Sequence, residues 1–200
     1  MNLSASLNTA LDELLERIRP SLVVVYNRRR GAGAGLLVGE GLVLTNRHVV
    51  GRARSLRVVL ADDTEFDARV LAEDPGVDLA LLQIPPNGHH AQASFSTAAP
   101  RTGELVFAFG HPWGQRNVLT GGVLSAVTSL RGGDGDIPVL RADVQLAPGN
   151  SGGPLLNAAG EVIGLNAMIF GGDQSVAIPA SLIRLFIASA RKEKAPESVL

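Results

Sequence analysis

Cysteine is absent from the 200 residues, which excludes disulfide staples, cysteine-ligated zinc and thiol catalysis and leaves the compartment open. An excess of either charge is lacking as well. Eighteen Lys and Arg stand against 19 Asp and Glu, and a net charge of −1 argues against a nucleic-acid or membrane-surface role, both of which need a basic face. No run approaches the roughly 18 consecutive apolar residues of a membrane-spanning helix. Aromatics make up only 4% of the chain while glycine occurs 23 times, a balance that favours short strands and tight turns over long helices. The first twenty residues, MNLSASLNTALDELLERIRP, lack the basic start and apolar stretch of a secretory signal. Read as complete, the chain is expected in the cytoplasm. A chain trimmed of its leader would belong instead to the cell envelope or the exterior.

What is present fits a globular protein: 46% apolar and 18% charged residues, enough to bury one domain or two small barrels sharing an interface. Leu7, Leu11, Leu14, Leu15 and Ile18 recur at helical spacing up to Pro20, so residues 1–20 are expected to form an amphipathic helix. Beyond Pro20 the texture changes to short β-rich runs, SLVVVY, AGLLV, LVLT, SLRVVL, ARVLA and DLALLQI, punctuated by Gly, Asp, Asn and Pro. Residues 87–103 are polar and read as a linker. A second β-rich series fills 104–180, and an amphipathic segment and loose tail fill 181–200. Two half-chains of about six strands each predict an all-β fold of two packed antiparallel β-barrels, at 21–86 and 104–180, with short terminal helices and a ligand cleft between the barrels. The basic run Arg28-Arg29-Arg30 reads as a solvated turn.

The strongest chemical signal is GNSGGPL, residues 149–155. A serine nucleophile needs backbone N–H groups beside it to hold a developing oxyanion, and small neighbours let the chain turn sharply enough to aim them. The N–H groups of Gly149 and Ser151 are the expected oxyanion hole. The same letters satisfy G-x-S-x-G, the elbow of α/β-hydrolases, but an elbow serine is followed by its acid and then its histidine, and no histidine follows Ser151. The acid–His–Ser order would need an acid before His48, where only Asp12, Glu13, Glu16 and Glu40 occur. The order that remains is His, Asp, Ser.

His48, in LVLTNRHVV, follows a strand that could present it to a cleft, and an imidazole titrates where a base for a serine hydroxyl must. Asp78 opens the apolar strand DLALLQI, where a carboxylate is costly unless paired; holding the N–H of His48 would satisfy it. The rivals are weaker. Asp74 precedes a Pro-Gly turn and reads as turn chemistry. His111, in FGHPWG, lies in the same half as Ser151. His89 and His90 sit in the linker, and an adjacent pair is too little for a metal site.

In GAGAGLLVGEGLVLTNRHVV, DLALLQI, FGHPWG, NVLTGGVLSAV, PGNSGGPLLNAAGEVIGLNAMIF and VAIP, the chain resembles the HtrA (Deg) branch of trypsin-like serine proteases through most of residues 21–185. The resemblance implies two six-stranded barrels, with His48 and Asp78 from the first and Ser151 from the second. It implies protein or peptide substrates, and a peptide added as a strand beside Asn166 to Phe170. It also implies a specificity pocket lined by Leu146 and Ile169. Relatives that take cationic side chains carry an acid six residues before the serine; here that position is Gln145. A small apolar pocket is expected to favour Val, Ala, Ile or Leu before the cut. The implied activity is endopeptidase, needing no metal or cofactor. A silent peptide-binding module and an esterase with the same triad are the alternatives.

The departures are specific. No segment resembles the PDZ domains common in the family, and the first helix lacks the aromatics that commonly help such proteases trimerise. PDZ control is therefore not expected, and a homo-oligomer is left open. His111 stands where the family often has Asn. The terminal Ser198-Val199-Leu200 is too short a match to assign to a PDZ groove on another protein.

Overall fold

The computed structural model describes residues 3–39, 41–86, 91–132, 135–167 and 175–192. Helix α1 (Leu3–Ile18) leads through a 3-10 turn at Arg19–Ser21 into the first barrel. That barrel holds β1 (Leu22–Asn27), β2 (Gly31–Gly39), β3 (Leu42–Asn46), the short helix α2 (Arg47–Val50), β4 (Ser55–Val59), β5 (Glu65–Asp74) and β6 (Leu79–Gln83). The second holds β7 (Leu105–Gly110), β8 (Val118–Gly132), β9 (Gly135–Ala142), β10 (Pro154–Asn157), β11 (Val162–Ala167) and β12 (Ser175–Pro179), and α3 (Ala180–Lys192) closes the fold. Each barrel is a closed six-stranded ring, in the orders β1-β2-β3-β6-β5-β4 and β10-β11-β12-β9-β8-β7. All pairings between these strands are antiparallel. The all-β, double-barrel fold with short terminal helices is the one expected from the sequence.

Burial explains why some strands read as continuous apolar runs and others alternate. Successive side chains of a strand point to opposite faces. In β3 and β6, Leu44, Leu79 and Leu81 face a core shared with the second barrel, whereas Val43, Ala80 and Leu82 face the first barrel's interior. Both faces are dry, so the runs LVLT and LALLQ need no polar residue. Strand β4 has solvent on one side, and its exposed Ser55 and Arg57 alternate with buried Leu56 and Val58. The shared core also takes Phe109, Leu156, Leu165 and Ile178 from the second barrel, Leu14 and Ile18 from α1, and Ile183 and Ile187 from α3. The terminal helices therefore brace the barrels against each other, and Leu7 at the start of α1 stays half-exposed.

The segment expected to be a plain linker is tied to both barrels through its backbone. Ala93 N–H donates to Leu37 O at 2.8 Å, Ser96 N–H to Val162 O at 3.0 Å, and Val162 N–H to Ser94 O at 2.8 Å. A polar sequence can do this because main-chain ladders need no apolar side chain.

Candidate active site

Strand β3 ends at Asn46, and α2 swings His48 toward the seam between the barrels. Asp78 meets it from the turn before β6. Its Oδ1 accepts the His48 backbone N–H at 2.9 Å, and its Oδ2 lies 2.8 Å from His48 Nδ1. A carboxylate can only accept, so Nδ1 donates to it, which in the neutral ring leaves Nε2 as the acceptor. Asp78 is 6% exposed, and its two oxygens are matched to two donors.

This placement costs backbone strain. Asp78 sits at φ 57°, in the left-handed region, for a price on the order of 1 kcal/mol. Its carbonyl is held there by two donors, Asn46 Nδ2 and Arg47 N–H, both at 3.1 Å. Asp is among the residues that tolerate this region best. The corner from Asn46 to His48 thus grips Asp78 by main chain and side chain together.

Ser151 lies in the turn before β10 and is 6% exposed. The turn leans on the first barrel: Ala34 N–H donates to Ser151 O at 2.8 Å. Gly152, at φ 85°, packs so closely that a Cβ there would stand 2.1 Å from Ala34 O and 2.4 Å from Thr45 Oγ1. Three of the five amides from 149 to 153 donate within the chain: Asn150 to Ala147 O, Gly152 to Asn166 O and Gly153 to Asn150 O, each at 3.0 Å. The amides of Gly149 and Ser151 find no acceptor among the described residues. Their direction follows from peptide planarity, which sets N–H opposite C=O. Trp113 N–H takes Pro148 O at 2.8 Å, and Gly153 N–H takes Asn150 O, so the Gly149 and Ser151 N–H groups point the other way. Position 149 requires glycine, because its φ is 109° and a Cβ there would fall 2.2 Å from His111 O.

A cleft of about 370 Å³ lined by Arg30–Gly33, His48, Val49, Pro148, Gly149 and Ser151 brings these groups together. No hydrogen bond joins Ser151 to His48 among the described residues.

Other expected residues fall as follows. Leu146 is half-buried against the second barrel's core. Asn166 is buried behind the serine turn: its Nδ2 donates to Pro154 O, its N–H to Gly153 O, and its carbonyl accepts from Gly152, so it props the turn from within. Ile169, Phe170, His89, His90 and the last eight residues lie outside the described residues. Asp74 closes a turn onto the N–H groups of Gly76 and Val77. Among the described residues no group of three or more His, Asp or Glu could hold a metal ion.

No spacing or motif marks the part played by the His111–Trp113 loop. His111 N–H donates to Gly149 O at 3.3 Å, beside the Trp113 bond to Pro148. The His111 ring is buried, with Nδ1 accepting from Asn117 N–H at 3.2 Å. Its pKa is lowered from 6.5 to about 4, first by burial and then by the nearby Arg116 charge, with the Val23 backbone opposing in part.

A trypsin-like peptidase domain matches residues 33–165. Serine protease HTRA1A of Danio rerio is 35% identical over 196 residues, covering 89% of this chain and 40% of that protein. A probable periplasmic DegP-like serine endoprotease of Ectopseudomonas mendocina is 39% identical over 139 residues, covering 69% of this chain and 29% of its own length. The chain thus spans two fifths or less of these relatives. The serine endoprotease of Yersinia pestis superimposes with a TM-score of 0.81 at 29% identity, over 91% of this chain and 66% of that one.

Proposed function

The chain belongs to the trypsin-like peptidase family, and on that premise we propose that it is a serine endopeptidase with Ser151 as nucleophile, His48 as general base and Asp78 as the group that orients it. The observation that carries this reading is the His48–Asp78 pair at 2.8 Å, opening onto the cleft that also holds Ser151 and the free Gly149 amide. Ser151 Oγ attacks the scissile carbonyl as His48 Nε2 takes its proton. The carbonyl oxygen becomes an oxyanion held by the Gly149 and Ser151 N–H groups. Asp78 stabilises the imidazolium, which then protonates the leaving amine. Water repeats the sequence in reverse to release the acyl group.

The substrate is a flexible or unfolded polypeptide, because a segment must be extended to lie between two barrels. Small aliphatic residues precede the cut: Leu146 and Ala147 stand ahead of the serine turn, with no acid at Gln145. Discrimination among aliphatics is modest, roughly 1–3 kcal/mol per methylene.

The test is digestion of casein by the native protein and by Ser151→Ala, with the cut sites mapped. The native protein should cut mainly after Val, Ala, Ile and Leu, and the variant should lose on the order of a million-fold in turnover. Equal digestion by both would overturn the assignment of Ser151, and cuts chiefly after Lys or Arg would overturn the pocket.

A further inference from the structure

Five arginines converge at the end of the cleft that adjoins His48. Arg28, Arg29 and Arg30 form the exposed turn between β1 and β2, and Arg52 and Arg54 lie exposed in the segment after α2. Together with Asn27 they bound a hollow of about 430 Å³. Arg30 lines the catalytic cleft as well, so hollow and cleft adjoin at this residue. Its Nη1 donates to His48 O at 3.2 Å, and the side chain passes over Gly51, which anchors the turn beside the base. Among the described residues, Arg28, Arg29, Arg52 and Arg54 have no carboxylate partner. The nearby Arg57 is already paired with Glu65 and lies over the Tyr26 ring. A chain of net charge −1 thus concentrates unpaired positive charge at one end of its cleft.

The chemistry of the cut says what lies there. His48 must protonate the leaving amine, so the substrate chain beyond the cut runs out on the His48 side, past Gly33 and Gly31 toward Arg30. We propose that this arginine rim recognises aspartates and glutamates on the leaving-group side of the substrate, a few residues beyond the cut. The inference rests on the endopeptidase reading for the identity of the ligand. Guanidinium forks suit carboxylates, and a bound acidic segment relieves the mutual repulsion of the five charges. Nucleic acid would also find a basic rim, but this one opens into a cleft shaped for a polypeptide.

The experiment uses two peptides identical through the cut and for two residues beyond it, one continuing in three glutamates and the other in three alanines. Native protein should favour the acidic peptide about tenfold in kcat/KM at low salt, as a few exposed ion pairs can supply, with the preference shrinking toward unity as salt screens them. Arg28→Glu combined with Arg52→Glu should bring that ratio below one; a ratio is unmoved by a general loss of active protein. Binding of both peptides to Ser151→Ala, read by fluorescence anisotropy, tests the rim without cleavage. If native protein cuts both peptides equally, the rim proposal fails and the endopeptidase reading stands. If it cuts neither, yet Ser151→Ala holds the acidic peptide about tenfold tighter, the endopeptidase reading fails and the rim is supported. Equal binding of both peptides, or tighter binding of a single-stranded oligonucleotide than of the acidic peptide, would overturn the rim.

Discussion

Strands β3 and β7 are both short and largely buried, and each hands the chain to a histidine within two residues of its end. After β3, the His48 ring is partly open to the cleft, and a carboxylate 30 residues away holds both its Nδ1 and its backbone N–H. After β7, the His111 ring is buried, its Nδ1 is occupied by Asn117 N–H, and its pKa falls to about 4. A general base must carry a proton in the transition state, and only the first corner provides a counter-charge for it. The second corner works through its backbone, holding Pro148 and Gly149, whose amide has no acceptor among the described residues. The same residue type thus serves opposite ends because one site has a paired carboxylate and solvent, and the other has neither.

Making the two corners alike should have the largest effect. Asp78→Asn leaves the first histidine without its counter-charge and favours the wrong tautomer; kcat in a peptide-cleavage assay is expected to fall about 10⁴-fold. A loss below tenfold would mean that Asp78 only braces the turn. Severing the second corner from the serine turn should cost less. Gly149→Ala forces a Cβ toward His111 O, 2.2 Å away in the present geometry, and swings the amide out of place. Losing one oxyanion donor should lower kcat about 10²–10³-fold with KM little changed.

The smallest effect is on stability, and it isolates His111. Its folded pKa lies below its unfolded value of 6.5, so between pH 6.5 and about 4 the unfolded chain binds a proton that the folded one refuses. The His111 penalty is therefore absent above pH 6.5 and grows as pH falls through this window, to about 3 kcal/mol. Denaturant melts of native protein and His111→Asn at pH 7 and pH 4.5 check this. The variant should lose clearly less stability on acidification, and parallel losses would remove His111 as the cause.

The strands, the double barrel and the pairing of His48 with Asp78 were legible because each rests on local pattern or chain order. Continuous apolar runs mark β3 and β6, and the glycines around Ser151 mark a sharp turn. What could not be read comes from contacts between distant segments. Asn166 is expected beside a bound peptide, but no spacing reveals that its Nδ2, N–H and carbonyl meet Pro154, Gly153 and Gly152 and brace the serine turn. The left-handed backbone of Asp78 depends on two donors from the Asn46–Arg47 corner, which no spacing reveals. Arg28-Arg29-Arg30 is the exposed turn it was expected to be, but that Arg52 and Arg54 stand beside it follows only from how β4 returns along β1.

Reaction with a fluorophosphonate probe tests the central claim most directly, because such a probe bonds only to a serine that is activated by its neighbours. Mass mapping of the labelled protein should find one adduct, on Ser151, formed by native protein and lost in His48→Ala. Labelling of another residue, or of Ser151 at the same rate without His48, would contradict the account.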